Sequence, residues 1–266
     1  MRSFYDILVR TFTTFWSYFV FALGCIVWGL LVIPLTLALS RFWPRARDYF
    51  TDCTQATIGA FVKLLPFMKL SVDQSRRLPN GSSSVLVLNH QSWLDPIVML
   101  SLERRLSGPA RGYLFRTPGM GAAMKLGRFY LSEGGEPAPL ERMRQGVHEA
   151  TEHRGSLLFF PEGTRTKTGE IGSFHLGAFR MAVEFNLPIQ PVVIEGLHRV
   201  FPSGSLLVKT RGRYLVKLRY LDPINPPYGE GPQRRVVRDL AQQVRHSMAE
   251  ELQRLEAGRE PAGLHQ

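Results

Sequence analysis

Residues 85–95 read Val-Leu-Val-Leu-Asn-His-Gln-Ser-Trp-Leu-Asp, and this stretch predicts a fold built around one polar turn. The apolar residues predict a short buried strand, and the polar residues after them predict the start of a helix. His90 then lies at the strand end, with Asp95 about one helical turn further on. This pair suits a general base, because a carboxylate fixes the tautomer of a histidine and stabilises its imidazolium. The alternative is structural: His90 caps the helix and Asp95 lies on its solvated first turn.

Short apolar runs alternate with helix-like patterns after this turn. Residues 140–150 and 178–185 carry apolar side chains at spacings of three and four, which predicts two helices. An apolar stripe from Val237 to Leu255 predicts a third, amphipathic helix. The predicted strands are residues 84–88, 112–115, 128–131, 156–160, 189–194 and 215–221. The alternation predicts an α/β fold with a mainly parallel sheet covered by helices, whose ligands bind beyond the carboxyl ends of the strands.

The N-terminal segment has a different character. No charged residue lies between Arg10 and Arg41, and residues 15–39 are almost continuously apolar. This run exceeds the roughly 20 residues that cross a hydrocarbon core, but Pro34 leaves open whether it spans the bilayer or enters and leaves one leaflet. Residues 48–70 predict a second helix lying against the membrane. Basic residues are more numerous after the run than before it, which predicts that the domain after the run faces the cytoplasm, at the inner (cytoplasmic) membrane.

These patterns divide the 266 residues into three parts: an N-terminal membrane-associated helical region (1–78), an α/β domain (79–256) and a flexible tail (257–266). The chain has 33 basic and 22 acidic side chains, a net charge of +11, which favours anionic lipid surfaces and phosphorylated ligands. No nucleic-acid-binding module is recognisable, so we expect no nucleic-acid partner. Cys25 and Cys53 are too few for a disulfide framework or a cysteine-based zinc site. We therefore expect neither a metal nor a cofactor.

A second polar loop follows the predicted strand that ends at Phe160. It reads Pro161-Glu162-Gly163-Thr164-Arg165. The glycine lets the backbone approach a ligand closely, the threonine offers a hydroxyl, and the arginine offers a planar guanidinium suited to a phosphate. The alternative is an ordinary polar connection between a strand and a helix. Two polar loops at the strand ends of one sheet are more informative than either alone, and they predict one shared site.

A third stretch, Leu187-Pro188-Ile189-Gln190-Pro191-Val192-Val193, completes an ordered set with Asn89-His90-x4-Asp95 and the loop after Phe160. In this order the three motifs resemble those of the bacterial glycerolipid acyltransferases of the 1-acylglycerol-3-phosphate acyltransferase family. The resemblance runs from about residue 84 to residue 194, and the apolar N-terminal segment also suits it. It implies that His90 is the general base and Asp95 its orienting partner. It also implies that the acceptor's phosphate region is bound by Glu162, Gly163, Thr164 and Arg165.

The resemblance implies a membrane-attached acyltransferase. Its donor would be acyl-CoA or acyl-carrier protein as co-substrate, and its acceptor the free hydroxyl of a lysophospholipid. The expected acceptor is 1-acyl-sn-glycerol-3-phosphate, which would give phosphatidic acid. One base suffices for this chemistry, because the thiolate of a thioester leaves without a strong acid. We also expect Asn89 and Arg116 to contact substrate.

Two departures from the family pattern leave the acceptor open. Ser132 or Glu133 stands where an arginine is usual, and His175 stands where a lysine is commoner. Both changes remove positive charge from the expected acceptor site. Two alternatives therefore remain: an acyltransferase for another lysolipid, such as a lyso-aminolipid or another lysophospholipid, and a non-catalytic membrane-surface protein that binds anionic lipid.

Overall fold

The computed structural model describes residues 2–43, 45–117, 120–133, 139–200, 214–227 and 233–258. The helices are α1 (Arg2–Val27), α2 (Ile33–Ser40), α3 (Ala46–Leu64), α4 (Asp95–Leu102), α5 (Gly112–Arg116), α6 (Met120–Leu126), α7 (Pro139–Glu152), α8 (Gly177–Glu184), α9 (Leu197–Val200) and α10 (Arg234–Ala257). The strands are β1 (Met68–Asp73), β2 (Val85–Leu88), β3 (Leu106–Ser107), β4 (Pro109–Ala110), β5 (Tyr130–Leu131), β6 (Ser156–Phe159), β7 (Ile189–Glu195) and β8 (Tyr214–Tyr220). Residues 259–266 of the predicted tail lie outside the described residues.

Six of these strands form one sheet, in the order β1-β8-β7-β2-β6-β3. The central strand β2 pairs in parallel with β6 on one side and β7 on the other, and β8 is the antiparallel neighbour of β7. Because β2, β6 and β7 are parallel, the loops that follow them meet at one edge of the sheet. The predicted α/β fold with a mainly parallel sheet is confirmed. Strands β4 and β5 form a separate parallel pair.

Apolar side chains cover both faces of the sheet. Successive strand residues point to opposite faces, so Val85 and Val87 belong to one buried cluster and Leu86 and Leu88 to the other. The first cluster includes side chains of α7, α8 and α10, among them the whole predicted stripe of Val237, Leu240, Val244, Met248, Leu252 and Leu255. The second cluster includes side chains of α4 and Val62 of α3. Helix α3 is therefore part of the core of the α/β domain.

The N-terminal helices form an antiparallel hairpin. Helix α1 continues through a π-helical segment, Trp28–Val32, into α2, and helix α3 then returns alongside. Phe61 of α3 packs on Phe21 with ring centroids 5.8 Å apart, and Phe50 packs edge-on against Trp28 at 5.3 Å. Residues 7–40 are long and apolar enough to cross a membrane by length and composition. The hairpin thus lies against the domain along α3 and exposes apolar side chains elsewhere.

The π-helical segment has a local cause in the sequence. Pro34 lies in the first turn of α2 and has no amide hydrogen to donate to the preceding turn. A wider turn just before a proline accommodates the missing hydrogen bond without ending the helix. Pro34 therefore does not end the helical run, which continues to Ser40.

One predicted helix ends earlier than expected, and one predicted strand is wrong. The helix predicted over residues 48–70 ends at Leu64, because Leu65 precedes Pro66 and takes an extended conformation with φ −69° and ψ 112°. The chain then forms β1, which pairs with β8, so the sheet begins upstream of the boundary predicted between residues 78 and 79. The strand predicted over residues 112–115 is helix α5. An apolar run this short suits either structure, and its periodicity does not decide between them.

Two ion pairs attach α3 to the domain. Asp48 accepts a hydrogen bond of 3.0 Å from Nη2 of Arg128, whose side chain is 6% exposed. One helical turn later, Asp52 accepts two hydrogen bonds from the more exposed Arg104. The charged face of α3 is thereby fixed against the α/β domain.

Candidate active site

His90 and Asp95 form the centre of the site. His90 follows β2, and its Nδ1 lies 2.7 Å from Oδ2 of Asp95, the first residue of α4. The same oxygen accepts the backbone amides of Gln91 and Ser92 at 2.6 and 2.7 Å. Burial raises the pKa of Asp95, and the hydrogen bonds from His90 and the two amides oppose this rise. Because the carboxylate can only accept, Nδ1 of His90 carries a proton and Nε2 is left with its lone pair.

An aromatic ring supports the imidazole. Phe160, the first residue after β6, stacks on His90 with ring centroids 4.2 Å apart and planes inclined by 30°. This contact restrains rotation of the imidazole, and the π-face of a phenyl ring attracts a cation. Phe160 therefore restrains the orientation of His90 and would stabilise a positive charge on its ring.

Glu162 holds the turn that carries His90. One carboxylate oxygen accepts the backbone amide of His90 at 3.0 Å, and the other accepts the amide of Gly172 at 3.0 Å. The amide of Thr166 in turn donates to the carbonyl of His90 at 2.8 Å. The sequence led us to expect a phosphate contact from Glu162. In the structure both of its oxygens are engaged by backbone amides, and its negative charge would repel a phosphate.

The side chain of Asn89 joins the end of β2 to β7. The side chain is 1% exposed, and it donates to the carbonyl of Ile194 at 2.9 Å and accepts the amide of Ile194 at 2.8 Å. A side-chain amide here continues the pairing of β2 with β7 by one step beyond the strand. Asn89 therefore bridges two strand ends, and the substrate contact expected of it stays a prediction.

The rim of the site is basic. Arg111 follows β4, and its Nη2 lies 3.5 Å from the carbonyl oxygen of Gly163. Arg165 and Thr164 are exposed on the same loop, and Arg116 is exposed at the end of α5. Among the described residues, none of the three arginines has a carboxylate within salt-bridge distance. The rim can therefore offer guanidinium groups to an anionic ligand.

Gly163 has a conformation that suits this rim. Its φ of +69° is strained for residues with a Cβ, and a Cβ would come within 3.0 Å of the ring of His175. The loop can therefore turn sharply between Glu162, which holds the turn that carries His90, and Arg165 on the rim.

The sequence patterns predict a substrate contact from Arg116 and do not indicate Arg111. The rule that ligands bind beyond strand ends applies to Arg111, since it directly follows β4. That strand has only two residues, so no periodicity revealed it. Within the described part of the chain, no group of three His, Cys, Asp or Glu side chains could hold a metal ion.

The comparisons with known proteins agree with this geometry. The model of the Acyltransferase family matches residues 69–195, which include His90, Asp95 and the loop from Glu162 to Arg165. A human 1-acyl-sn-glycerol-3-phosphate acyltransferase, the beta form, is 30% identical over 222 residues, which cover 70% of this chain and 80% of that protein.

A plant relative and a solved structure extend the likeness. A chloroplastic 1-acyl-sn-glycerol-3-phosphate acyltransferase of Arabidopsis thaliana is 30% identical over 162 residues, 60% of this chain. The chain spans about half the length of this plant protein and of its Brassica napus counterpart, 46% and 49%. The crystal structure of the 1-acyl-sn-glycerophosphate acyltransferase from Thermotoga maritima has the same fold, with a TM-score of 0.78, 21% identity, and coverage of 96% of this chain and all of the other. The sequence and fold together show that the chain belongs to the acyltransferase family that includes the 1-acyl-sn-glycerol-3-phosphate acyltransferases.

Proposed function

We propose that the chain transfers a fatty acyl group from acyl-CoA or acyl-carrier protein to the free hydroxyl of a lysophospholipid. The acceptor we favour is 1-acyl-sn-glycerol-3-phosphate, with phosphatidic acid as the product. The observation that carries the proposal is the His90–Asp95 pair, whose Nε2 lone pair lies at the same sheet edge as the basic rim. A base beside guanidinium groups suits an acceptor that carries a free hydroxyl and a phosphate on the same molecule.

The reaction follows from this arrangement. Nε2 of His90 takes the proton of the acceptor hydroxyl as its oxygen attacks the thioester carbonyl. Asp95 stabilises the imidazolium, and collapse of the tetrahedral intermediate breaks the carbon–sulfur bond. The thiolate leaves with the bonding electron pair and takes the proton back from His90. No covalent acyl-enzyme is required, because both substrates are bound together.

The supporting role of Glu162 and the binding role of Arg165 can be separated by kinetics. We expect Arg165→Ala to raise KM for a phosphorylated acceptor by about tenfold, the scale of one hydrogen bond to a charged group, with kcat largely kept. Glu162→Ala should instead lower kcat, because it releases the backbone of His90. Steady-state rates at varied acceptor concentration distinguish the two. An effect of Glu162→Ala on KM alone would restore its role as a phosphate contact.

We propose that helices α1 and α2 of the N-terminal hairpin lie in one leaflet of the inner membrane. Helix α3, the returning arm of the hairpin, carries Asp48 and Asp52, which are paired with arginines of the α/β domain. Full crossing by residues 15–39 would draw this charged face towards the hydrocarbon, where each charged side chain costs about 2.5–3.5 kcal/mol. The outward side of the hairpin exposes apolar side chains suited to a leaflet: Ile7, Leu8, Phe12, Phe15, Phe19, Leu23, Leu30, Leu31 and Leu35.

This placement predicts that both the N-terminus and the catalytic domain face the cytoplasm. A cysteine added before Met1, in a protein with Cys25→Ser and Cys53→Ser, should react with a membrane-impermeant maleimide in inverted vesicles but not in spheroplasts. A cysteine introduced at Lys167, on an exposed loop of the domain, is the matched control. Labelling of the two cysteines from opposite sides would mean that the segment spans the bilayer.

One observation favours a second acceptor class. The exposed carboxylate of Glu133 accepts the amide of Gly112 at 3.0 Å, directly beside Arg111. A carboxylate on this rim weakens the attraction for a phosphate and would attract an ammonium group. A lysolipid that carries both a phosphate and an amine, or a lyso-aminolipid, is therefore the second candidate acceptor.

The test of the function is a panel of acceptors supplied to the purified protein with acyl-CoA and with acyl-carrier protein, with products identified by mass spectrometry. We expect acyl transfer to lysophosphatidic acid, and Glu133→Gln should not reduce it. If the amine-bearing acceptors are preferred and Glu133→Gln removes that preference, the second candidate is correct. Binding to anionic liposomes without any acyl transfer would favour the non-catalytic alternative.

A further inference from the structure

A second histidine lies close to the catalytic turn. His198 belongs to α9, which follows β7, the parallel neighbour of β2. Its Nδ1 lies 3.2 Å from Oε1 of Gln91, the residue directly after His90. Gln91 is fully buried, so its side chain cannot be held by solvent instead.

The hydrogen-bond partners define the state of this imidazole. Nε of Arg199 donates to Nε2 of His198 at 3.3 Å, so Nε2 is unprotonated. Nδ1 therefore carries the proton and donates it to the amide oxygen of Gln91. Burial lowers the pKa of His198, and the charge of Arg199 lowers it further, which agrees with a neutral ring.

The contact with Gln91 continues to the catalytic pair. The backbone amide of Gln91 donates to Oδ2 of Asp95 at 2.6 Å, the oxygen that also faces Nδ1 of His90. A chain of hydrogen bonds thus leads from Arg199 through His198 and Gln91 to Asp95. Each of these hydrogen bonds has one consistent donor and acceptor, and the Nε2 of Gln91, which is not part of the chain, is buried without a partner among the described residues.

The other face of His198 supports the loop after β6. Gly169 has a φ of +98°, and a Cβ there would lie 3.1 Å from Nε2 and 3.2 Å from Cε1 of the ring. The amide of Gly169 donates to Oγ1 of Thr166 at 3.0 Å, and the amide of Thr166 donates to the carbonyl of His90 at 2.8 Å. His198 therefore contacts both segments that fix the backbone of His90.

We propose that His198 is a positioning residue for His90 and Asp95: its Nδ1–H holds the side chain of Gln91, and its ring packs against the turn at Gly169. This inference rests on the proposed acyl transfer. His198 takes no part in proton transfer to substrate. Its function is to keep the catalytic turn in one conformation.

The experiment compares two substitutions of His198 by kcat and KM. His198→Leu removes the donor, and we expect kcat to fall by about 10-fold to 100-fold, the scale of a small misplacement of a catalytic group, with KM for the acceptor within about threefold. In His198→Asn, the side-chain Nδ2 takes the place of Nδ1, so kcat should recover to within about threefold of the wild type. A structural role alone would not separate these two variants when both unfold at the wild-type temperature.

A double-mutant cycle tests the route through Gln91. Gln91→Met removes the acceptor, so the double variant with His198→Leu should be no slower than the slower single variant. If the double variant lost kcat by the product of the two single losses, the proposed route through Gln91 would be wrong. If His198→Leu does not fold, the other two variants test the inference. A low kcat in His198→Asn, or a wild-type kcat in Gln91→Met, would overturn it. A wild-type protein without acyl transfer would instead refute the proposed function.

Discussion

His90→Ala is expected to lower kcat by about 10²–10⁴-fold, the contribution of a general base that is well positioned. Nδ1 of His90 is committed to Asp95, so Nε2 is the atom available to the acceptor hydroxyl. The side chain is 20% exposed and lies at a strand end, so its removal should affect the chemistry far more than the stability. The measurement is the rate of acyl transfer with both substrates saturating, alongside the thermal midpoint of unfolding.

A matched control exists for this variant. His246 on α10 is 77% exposed and pairs with Glu250 at the surface. His246→Ala should keep the wild-type kcat. If His90→Ala also retained kcat within about threefold, the proposed mechanism would be wrong.

Substitutions of Asp95 can separate the effect of its negative charge from its effect on the orientation of His90. Its Oδ2 accepts three hydrogen bonds, whereas its buried Oδ1 has no partner among the described residues. In Asp95→Asn, the carbonyl oxygen can take the place of Oδ2 and keep all three hydrogen bonds while the negative charge is lost. In Asp95→Ala, both the charge and the hydrogen bonds are lost.

We expect kcat to fall by about 10²–10³-fold in Asp95→Asn, the scale of a charge contact at about 4 Å in an effective dielectric near 20. Asp95→Ala should be about tenfold slower again, because the imidazole and two buried amides lose their acceptor. Steady-state kinetics of both variants at one pH measure the difference. Wild-type activity in Asp95→Asn would mean that Asp95 only orients His90.

The sequence predicts the centre of the sheet and the pairing of His90 with Asp95 for clear physical reasons. The runs that form β2, β6 and β7 are mostly apolar and buried along their whole length, because both faces of the sheet are covered. A polar residue directly after such a run is placed at the carboxyl end of the strand, where ligands bind. His90 and the loop after Phe160 follow this rule, and the structure brings them together.

The remaining differences come from contacts that the sequence pattern does not contain. Strand β1 depends on pairing with β8, about 140 residues later, and the effect of Pro66 on the preceding helix was overlooked. Asn89 and Glu162 are polar and adjacent to the site, but their partners are backbone groups of distant residues. His198 was missed although it follows a predicted strand, so the strand-end rule alone would have selected it.

Helix α3 limits how this protein can be shortened. Its Val62 is buried with Leu94 and Met99, so a chain that starts after residue 64 would lose part of its core as well as its lipid contact. The same deletion would uncover α4, whose first residue is Asp95. Helix α3 and the helix that begins at Asp95 thus share one core, and a fragment made by deleting the N-terminal helices is expected to be unstable and inactive. Structural and kinetic work on this protein therefore calls for the full chain in a bilayer or a mild detergent.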